Sequence, residues 1–364
     1  MNKRLFRIFI AGVFIVAILI FAGMVLRQKL NSILSAQPAL IQASPSPTPT
    51  VVPAKVINQT LFVPYWSVGT GELLPEYQKL IYFGLQVTPA GIDRDDQGYT
   101  SLRTFVKESG GQDKILAIRM IDSKTNFEIL KDAKIQDIII EQSIQEAKAY
   151  GFRGLLLNLE VSALPFGSLV DQITVFNERF AAKTRKAGLS YSLTAYGDTF
   201  YRLRPFDMVK LAKQVDLVYI MAYDFHKAKG NPGPNFPLGG KDLYGYDYEQ
   251  MINNFADVVP LEKLTVVFGM YGYDWSVDDK GIAQDVGASI ALKDIKAKII
   301  DHCAYISCEW ERDIKSAETK AVYQDRETGE HVVWFEDEES VKRKQELLKS
   351  RGIGSFAYWA YSYF

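Results

Sequence analysis

The stretch Gly154-Leu-Leu-Leu-Asn-Leu-Glu160 decides the fold class, because it reads as a strand that is apolar on both faces and ends in a carboxylate. Strands with two buried faces occur in parallel sheets, whose faces are covered by helices. Side chains alternate across a strand, so Leu156, Asn158 and Glu160 share one face and the intervening leucines share the other. A glutamate is costly to bury in such surroundings without a partner or a function. The stretch therefore predicts a parallel strand that ends either in a candidate site residue or in a glutamate exposed to solvent.

Seven other short apolar runs have the same character as this one. They lie at residues 61–66, 80–87, 115–121, 190–196, 217–223, 264–271 and 354–358. Amphipathic helical stretches separate most of them, for example at residues 138–150, 169–187 and 248–258. Eight near-continuous apolar strands with helical crossovers predict an α/β fold, namely a (β/α)8 TIM barrel.

One interval between the predicted strands is too long for a simple crossover. Residues 274–335, between strand 7 and the last helix, predict a small α+β insertion with a helix at 291–303 and a hairpin around 322–333. A doubly wound sheet is the alternative fold. It would need a glycine-rich phosphate loop after the first strand, and Ser67-Val-Gly-Thr-Gly71, which leads into Pro75, matches such a loop only weakly.

The N-terminal segment carries an unbroken apolar run at residues 8–26. Nineteen residues of helix measure about 28 Å, enough to cross the hydrocarbon core of a bilayer. We therefore predict a signal-anchor or transmembrane helix within residues 1–30. Lys3, Arg4 and Arg7 precede the run, which favours an N-terminus inside and a domain outside the membrane.

Two further features of the N-terminal region bear on export. A secretory signal cleaved after Ala36 is the alternative to a retained anchor, although Leu34 is a poor residue at the −3 position. Residues 31–57 are rich in Pro, Ser and Thr, which favours an extended linker. We expect the main domain at residues 58–364 to be extracytoplasmic under either reading, as a single-pass membrane protein or, after cleavage, a secreted one.

Composition argues against nucleic acid and metal as partners. Forty-two Lys and Arg balance forty-three Asp and Glu, so neither the net charge of −1 nor any charge run indicates nucleic acid binding. Cys303 and Cys308 are too few for a disulfide framework, and their spacing allows two unpaired thiols or one local bridge. Only His302 lies beside them, so we expect no metal and no cofactor. We expect a monomer.

The carboxyl ends of the predicted strands are rich in aromatic, amide and carboxylate side chains. Barrel enzymes collect their functional residues there. The candidates are Tyr65, Trp66, Asn158, Glu160, Tyr196, Tyr223, Asp224, Tyr271, Trp275 and Trp359. Aromatic faces stack on the C–H surfaces of a sugar ring, while amides and carboxylates bind its hydroxyl groups. This set therefore predicts a carbohydrate site.

Four motifs in order along the chain resemble glycoside hydrolase family 18, the chitinase-like family, and a fifth stretch resembles one branch of it. Phe152-Arg-Gly-Leu-Leu-Leu-Asn-Leu-Glu160 resembles the fourth-strand motif of that family, Asp-Gly-x-Asp-x-Asp-x-Glu, and Met221-Ala-Tyr-Asp-Phe-His226 resembles its sixth-strand Met-x-Tyr-Asp element. Gly269-Met-Tyr-Gly-Tyr-Asp-Trp275 is similar to the seventh-strand Tyr-Gly segment, and Tyr358-Trp359 to the eighth-strand Tyr-Trp. Val333-Trp-Phe-Glu-Asp337 looks like the branch of spore-cortex-lytic and germination-type hydrolases. The resemblance covers residues 61–364.

The resemblance implies substrate-assisted hydrolysis with retention of configuration, an exception to the two-carboxylate scheme. Glu160 matches the acid that protonates the glycosidic oxygen. Tyr223 matches the tyrosine that binds the 2-acetamido group of the substrate, which itself attacks the anomeric carbon. Asp224 matches the adjacent aspartate of the sugar site, and Trp359 matches the aromatic floor beneath the reacting sugar.

The chain departs from the family pattern at the residues that assist the acid. Asn158 stands in place of the assisting aspartate, Leu156 in place of the inner one and Arg153 in place of the first. The third-strand Ser-x-Gly-Gly element is also absent, with Ile118-Arg-Met-Ile121 near its position. Loss of one preorganised electrostatic contact costs on the order of 10²–10³ in rate.

Two interpretations of Asn158 follow. Some acetamide-assisted glycosidases use an asparagine beside the acid, so Asn158 and Glu160 form a working pair in the first. In the second the site has lost activity and only binds glycan.

Three functions are compatible with the sequence. The first is a membrane-tethered hydrolase of N-acetylglucosamine-containing polysaccharide, either peptidoglycan or a chitin-like polymer. The second is a catalytically weakened or inactive glycan-binding domain. The third, a structural or partner-binding barrel, leaves the alignment of Glu160, Tyr223, Asp224 and Trp359 unexplained.

Overall fold

The computed structural model describes residues 58–70 and 77–364, and within them fourteen strands and ten α-helices. The strands are β1 (Asn58–Pro64), β2 (Lys79–Thr88), β3 (Gly91–Ile92), β4 (Asp113–Met120), β5 (Gly154–Leu159), β6 (Ser190–Tyr196), β7 (Leu217–Met221), β8 (Leu264–Gly269), β9 (Tyr271–Ser276), β10 (Ala288–Ala291), β11 (Ser307–Arg312), β12 (Thr319–Asp325), β13 (Gly329–Phe335) and β14 (Ser355–Trp359). The helices are α1 (Gln97–Thr100), α2 (Leu102–Glu108), α3 (Ser123–Lys131), α4 (Ala133–Ala149), α5 (Gly167–Lys186), α6 (Met208–Gln214), α7 (Lys241–Tyr244), α8 (Tyr248–Ala256), α9 (Leu292–Ile295) and α10 (Glu338–Ser350).

Eight of the strands form a closed parallel barrel. They pair in the order β1, β2, β4, β5, β6, β7, β8 and β14, and β14 pairs with β1 to close the ring. All eight coincide with the predicted apolar runs, with ends that shift by up to three residues. The prediction of a (β/α)8 TIM barrel is confirmed, and a doubly wound open sheet is excluded because the ring is closed.

Aspartate residues determine where most of the longer helices begin. Asp122, Asp132, Asp207, Asp247 and Asp337 each precede a helix and accept a hydrogen bond from a backbone N–H of its first turn. Such caps satisfy donors that have no partner within the helix and favour the helix dipole. Local sequence thus fixes the start of α3, α4, α6, α8 and α10.

The strands divide the core into two parts. Side chains that point outward pack against the helices in the larger cluster. The side chains that point inward fill the barrel axis, and they are Phe62, Ile81, Phe83, Ile115, Ala117, Leu156, Tyr219, Val267 and Ala357. The axis is therefore a packed apolar plug, and polar chemistry is confined to the strand ends above it.

The predicted insertion is a five-stranded antiparallel sheet in the order β10, β9, β13, β12 and β11. It begins at Tyr271, three residues before the predicted start, because the run predicted as one strand at 264–271 breaks at Met270. The N–H of Met270 donates to the carbonyl of Trp359 (2.7 Å), and its carbonyl accepts from Leu292. The helical segment and the hairpin of β12 and β13 lie where the sequence placed them.

Cys303 and Cys308 form a disulfide with a Cα–Cα distance of 5.7 Å, the local bridge that their spacing allowed. No helix within residues 58–70 and 77–364 is long and apolar enough to cross a membrane. The predicted anchor at residues 8–26 and the linker at 31–57 lie outside the described residues, so both stay predictions.

Candidate active site

Glu160 follows the last residue of β5 and is half-buried at the mouth of the barrel. Its N–H donates to the carbonyl of Met120 (2.7 Å), which keeps it in register with β4. The side-chain amide of Asn126 donates to the carbonyl oxygens of both Met120 (2.8 Å) and Glu160 (2.7 Å). The backbone that carries Glu160 is therefore fixed by two neighbouring elements.

Each carboxylate oxygen of Glu160 accepts a hydrogen bond, one from a residue of β5 and the other from a residue of β6. Nδ2 of Asn158 donates to Oε1 (3.0 Å), and the hydroxyl of Tyr196 donates to Oε2 (3.3 Å). Asn158 is 2% exposed, and its Oδ1 accepts from the hydroxyl of Thr194 (2.8 Å). Because Thr194 supplies the donor, the amide of Asn158 is oriented with its N–H toward Glu160.

Tyr196 is itself held by a cation. The guanidinium carbon of Arg204 lies 3.7 Å from the centroid of the Tyr196 ring, and two of its nitrogens bind Asp198 at 2.7 and 3.0 Å. Burial, followed by the negative charge of Glu160, raises the pKa of Tyr196 well above its usual value. The phenol therefore remains protonated and donates to Glu160 at any physiological pH.

Aromatic rings form the wall and floor of the mouth. Trp359, at the end of β14, lies nearly parallel to Tyr223 at a centroid distance of 6.5 Å and edge-on to Trp66 at 6.1 Å. Tyr65 packs against Trp66, and the guanidinium of Arg119 lies 4.5 Å from the Tyr65 ring centroid. Trp66 is 43% exposed, so this group presents an aromatic surface on which a sugar ring can stack.

Asp224 lies beside Tyr223 in a backbone conformation that is uncommon for a residue with a side chain, with φ of 60°. Its Oδ1 accepts hydrogen bonds from the hydroxyl groups of Tyr271 and Tyr273. Burial, then the charges of Asp224 and Glu160, raises the pKa of Tyr223 well above its usual value. The Tyr223 hydroxyl is thus a neutral donor that lies within the field of both carboxylates.

Nine of the ten candidates lie at the mouth of the barrel or on the adjoining start of β9. Trp275 does not: it is fully buried inside the insertion, packed with Val277, Val332 and Trp334, and its Nε1–H donates to the carbonyl of Ala228. The prediction that Trp275 binds substrate is wrong, because its ring has no face left for a sugar. Tyr273, which lies two residues earlier on the same face of β9, donates to Asp224 instead.

Four residues of the site were not predicted from the sequence. They are Thr194, Tyr273, Arg204 and Asn235, and Oδ1 of Asn235 accepts the backbone N–H of Asp224 (2.7 Å). Thr194 could have been predicted, because it lies two residues before Tyr196 on β6 and so shares its face. Tyr273 lies two residues after the candidate Tyr271 on β9, so the same alternation predicts it. Arg204 and Asn235 lie on loops, where spacing carries no such signal.

Among the described residues, the surroundings of Leu156 and Arg153, which replace two aspartates of the fourth-strand motif, contain no polar site for a carboxylate at position 156. Leu156 is fully buried in the apolar plug of the barrel, next to Ala117 and Tyr219. Arg153 is exposed and binds Asp113 at 3.3 Å, away from the plug. The interior below Asn158 is therefore apolar, and it suits a neutral amide better than a buried carboxylate.

Comparisons with known proteins agree with this geometry. The family model "Glycosyl hydrolases family 18" matches residues 80–363. The cortical fragment-lytic enzyme of Bacillus anthracis is 28% identical over 242 residues, which cover 64% of this chain and 51% of that protein. The chain thus spans about half the length of the curated relatives it matches.

Solved structures share the fold. The Bacillus cereus spore cortex-lytic enzyme SleL superposes with a TM-score of 0.68 at 20% identity, over 85% of this chain and 71% of that one. A family 18 N-acetylglucosaminidase from Paenibacillus barengoltzii gives a TM-score of 0.70 at 16% identity, over 84% and 95% of the two chains. Because the family model covers most of its length, the chain belongs to the glycosyl hydrolases of family 18.

Proposed function

We propose that this chain hydrolyses polysaccharide that contains N-acetylglucosamine, with Glu160 as the general acid and base. The observation that carries the proposal is the position of Glu160, which lies at the barrel mouth, is hydrogen-bonded through both oxygens and shares the mouth with Tyr223 and Trp359. A positioned carboxylate beside a stacking surface is the arrangement that glycosidic bond cleavage requires.

The proposed mechanism is substrate-assisted and retaining. Glu160 donates its proton to the glycosidic oxygen as the bond to the anomeric carbon breaks. The carbonyl oxygen of the substrate's own 2-acetamido group attacks that carbon, which gives a cyclic oxazolinium ion. Glu160, now a carboxylate, then takes a proton from water, which adds to the anomeric carbon and reopens the ring with retained configuration.

Neighbouring residues position the groups that react. The Tyr223 hydroxyl is the donor for the acetamide oxygen, and Asp224 accepts from sugar hydroxyl groups. Trp359 packs beneath the ring. Asn158 holds Glu160 with its N–H and keeps an amide oxygen beside the acetamide, but it supplies no negative charge to the oxazolinium ion.

Cell-wall peptidoglycan is the substrate that we favour. Relatives named cortical fragment-lytic enzymes support this choice, as does the sequence-based expectation of an anchor at residues 8–26 that holds the domain outside the membrane. Chitin-like polymers are the competing substrate, since the structural relatives include an N-acetylglucosaminidase.

Binding without cleavage is the second candidate function. One observation favours it, namely that the side chain beside the acid is the neutral amide of Asn158, fixed by Thr194 with its N–H toward Glu160. An aromatic mouth can bind glycan whether or not the acid is assisted.

The substitution Glu160→Gln separates the two functions. The purified domain, residues 58–364, is incubated with N-acetylglucosamine oligomers and with peptidoglycan, and reducing ends are measured. We expect the parent domain to release product and the variant to lose turnover by about 10²-fold or more while it still binds oligomers. Binding by both proteins with no product from the parent would select the lectin function. Failure of a thiazoline analogue of the oxazoline to inhibit the parent would reject the substrate-assisted route alone.

A further inference from the structure

A buried charged cluster lies behind the sugar site and is not used by the proposed chemistry. Lys344, Glu318 and Glu336 are at most 1% exposed, and Nζ of Lys344 donates to Oε1 of Glu318 (2.7 Å) and to Oε2 of Glu336 (2.5 Å). Ionised groups are rarely buried unless they are paired and hydrogen-bonded. Glu318 and Lys344 come from the insertion and from α10, so the cluster joins two parts of the fold.

Glu318 extends from this cluster to one loop. Its two carboxylate oxygens accept the consecutive backbone N–H groups of Asn235 (2.5 Å) and Phe236 (2.7 Å). The loop that carries Asn235 is thereby fixed to the buried pair rather than left to solvent. Asn235 is 1% exposed, so its own side chain cannot turn outward.

The side chain of Asn235 then reaches the sugar site. Its Oδ1 accepts the backbone N–H of Asp224 (2.7 Å), and its Nδ2 donates to the carbonyl of Tyr271 (3.1 Å). Asp224 is the residue with φ of 60°, and Tyr271 donates its hydroxyl to the Asp224 carboxylate. One amide therefore holds the backbone of both partners in this hydrogen bond.

We infer that Asn235, anchored by the buried Glu318–Lys344 pair, is a positioning residue that holds Asp224 in its left-handed conformation and so aims its carboxylate into the sugar site. The left-handed region is disfavoured for residues with a side chain, and a conformation of this kind persists only where its surroundings enforce it. Without the Asn235 acceptor, the Asp224 N–H would be left without this partner and the backbone would be free to relax.

The positioning of Asp224 does not depend on the proposed function, but its effect on glycan binding does. Two measurements therefore test the inference, one without ligand and one with it. Asn235→Ala removes both side-chain hydrogen bonds and keeps the backbone N–H that Glu318 binds. Asn177→Ala is the matched control, because Asn177 is 2% exposed, bonds Ile173 and Tyr191, and is remote from Asp224 in sequence and contacts. Both substitutions are made in the Glu160→Gln domain, so that binding is measured without turnover.

The first measurement is amide hydrogen exchange of the segment 222–226, which needs no ligand. We expect Asn235→Ala to accelerate exchange there by about tenfold or more, and Asn177→Ala to leave it unchanged. Equal exchange in the two variants would overturn the inference. If Asn235→Ala does not fold, Glu318→Gln, which keeps the shape and removes the charge, is expected to give the same acceleration to a smaller degree.

The second measurement is the affinity for N-acetylglucosamine oligomers. We expect Asn235→Ala to weaken binding by about tenfold and Asn177→Ala to leave it unchanged. Altered exchange with no oligomer binding by the Glu160→Gln domain itself would reject the proposed function and keep the positioning role. Unaltered affinity together with altered exchange would show that Asp224 does not depend on Asn235 for its function, and would overturn the inference.

Discussion

At the scale of single residues, Asn158 is the side chain on which the proposed activity depends. Its amide is oriented by Thr194 and donates to Glu160, so it is a neutral partner for the proposed acid. A second carboxylate at this position would lie about as close to Glu160 as the present 3.0 Å and would be nearly as buried. Two carboxylates that share such a site compete for one proton.

We therefore expect Asn158→Asp to leave turnover of N-acetylglucosamine oligomers unchanged or to lower it by up to about tenfold. The apolar plug around Leu156 offers the new charge no partner below it, and the hydrogen bond to Glu160 loses its donor. Steady-state kinetics on the parent and the variant, with Asn177→Ala as a control for folding, measure this directly. A rise in turnover would mean that the natural site is a weakened form of a carboxylate-assisted one.

At the scale of elements, alternation along strands accounts for what the sequence could predict. The eight barrel strands and the position of Glu160 could be predicted from near-continuous apolar runs, since strands of a parallel sheet are buried on both faces. The run at 264–271 was misread as one strand because composition does not show that Met270 turns the chain into a separate sheet. Trp275 was misassigned for the same reason. Loop residues such as Arg204 and Asn235 were not predictable, because tertiary contacts alone bring them to the site.

A prediction about pH concerns Glu336, which lies between β13 and α10 and accepts a hydrogen bond from Lys344 of that helix. Burial, offset by Lys344, raises the pKa of Glu336 from 4.5 to about 7. The folded protein then binds this proton more tightly than the unfolded chain does, so the free energy of unfolding falls as pH rises from about 4.5 to about 7. Glu336→Gln imitates the protonated form, since Ser340 and Lys344 remain as neighbours.

We expect the melting temperature of the parent domain to fall more steeply between about pH 5 and about pH 7 than that of Glu336→Gln. Glu346→Gln, on the exposed side of α10, is the control and should follow the parent. Thermal unfolding at several pH values measures the difference. Parallel profiles for all three proteins would show that Glu336 binds its proton equally well in the folded and unfolded chain.

At the scale of the whole molecule, the closed barrel and the insertion contribute different residues to the site. The barrel supplies Glu160, its two hydrogen-bond donors and the aromatic floor from the ends of β5, β6 and β14. The insertion adds Tyr271 and Tyr273, and its buried Glu318 holds the loop of Asn235. The Glu160 half of the site is thus built on the barrel strands alone, while the Asp224 half depends on contacts between the barrel and the insertion.

The proposed location of the chain can be tested on the full sequence. The apolar run at residues 8–26 is long enough to span a bilayer, so the whole chain is expected to sediment with membranes and to be released when residues 1–30 are deleted. Ile18→Arg places a charge at the middle of the run, which costs about 2.5–3.5 kcal/mol on insertion, and should reduce the membrane fraction. Protease added outside intact cells should cleave the domain. Recovery of a protein in the medium that lacks residues 1–36 would show instead that the segment is a signal peptide removed on export.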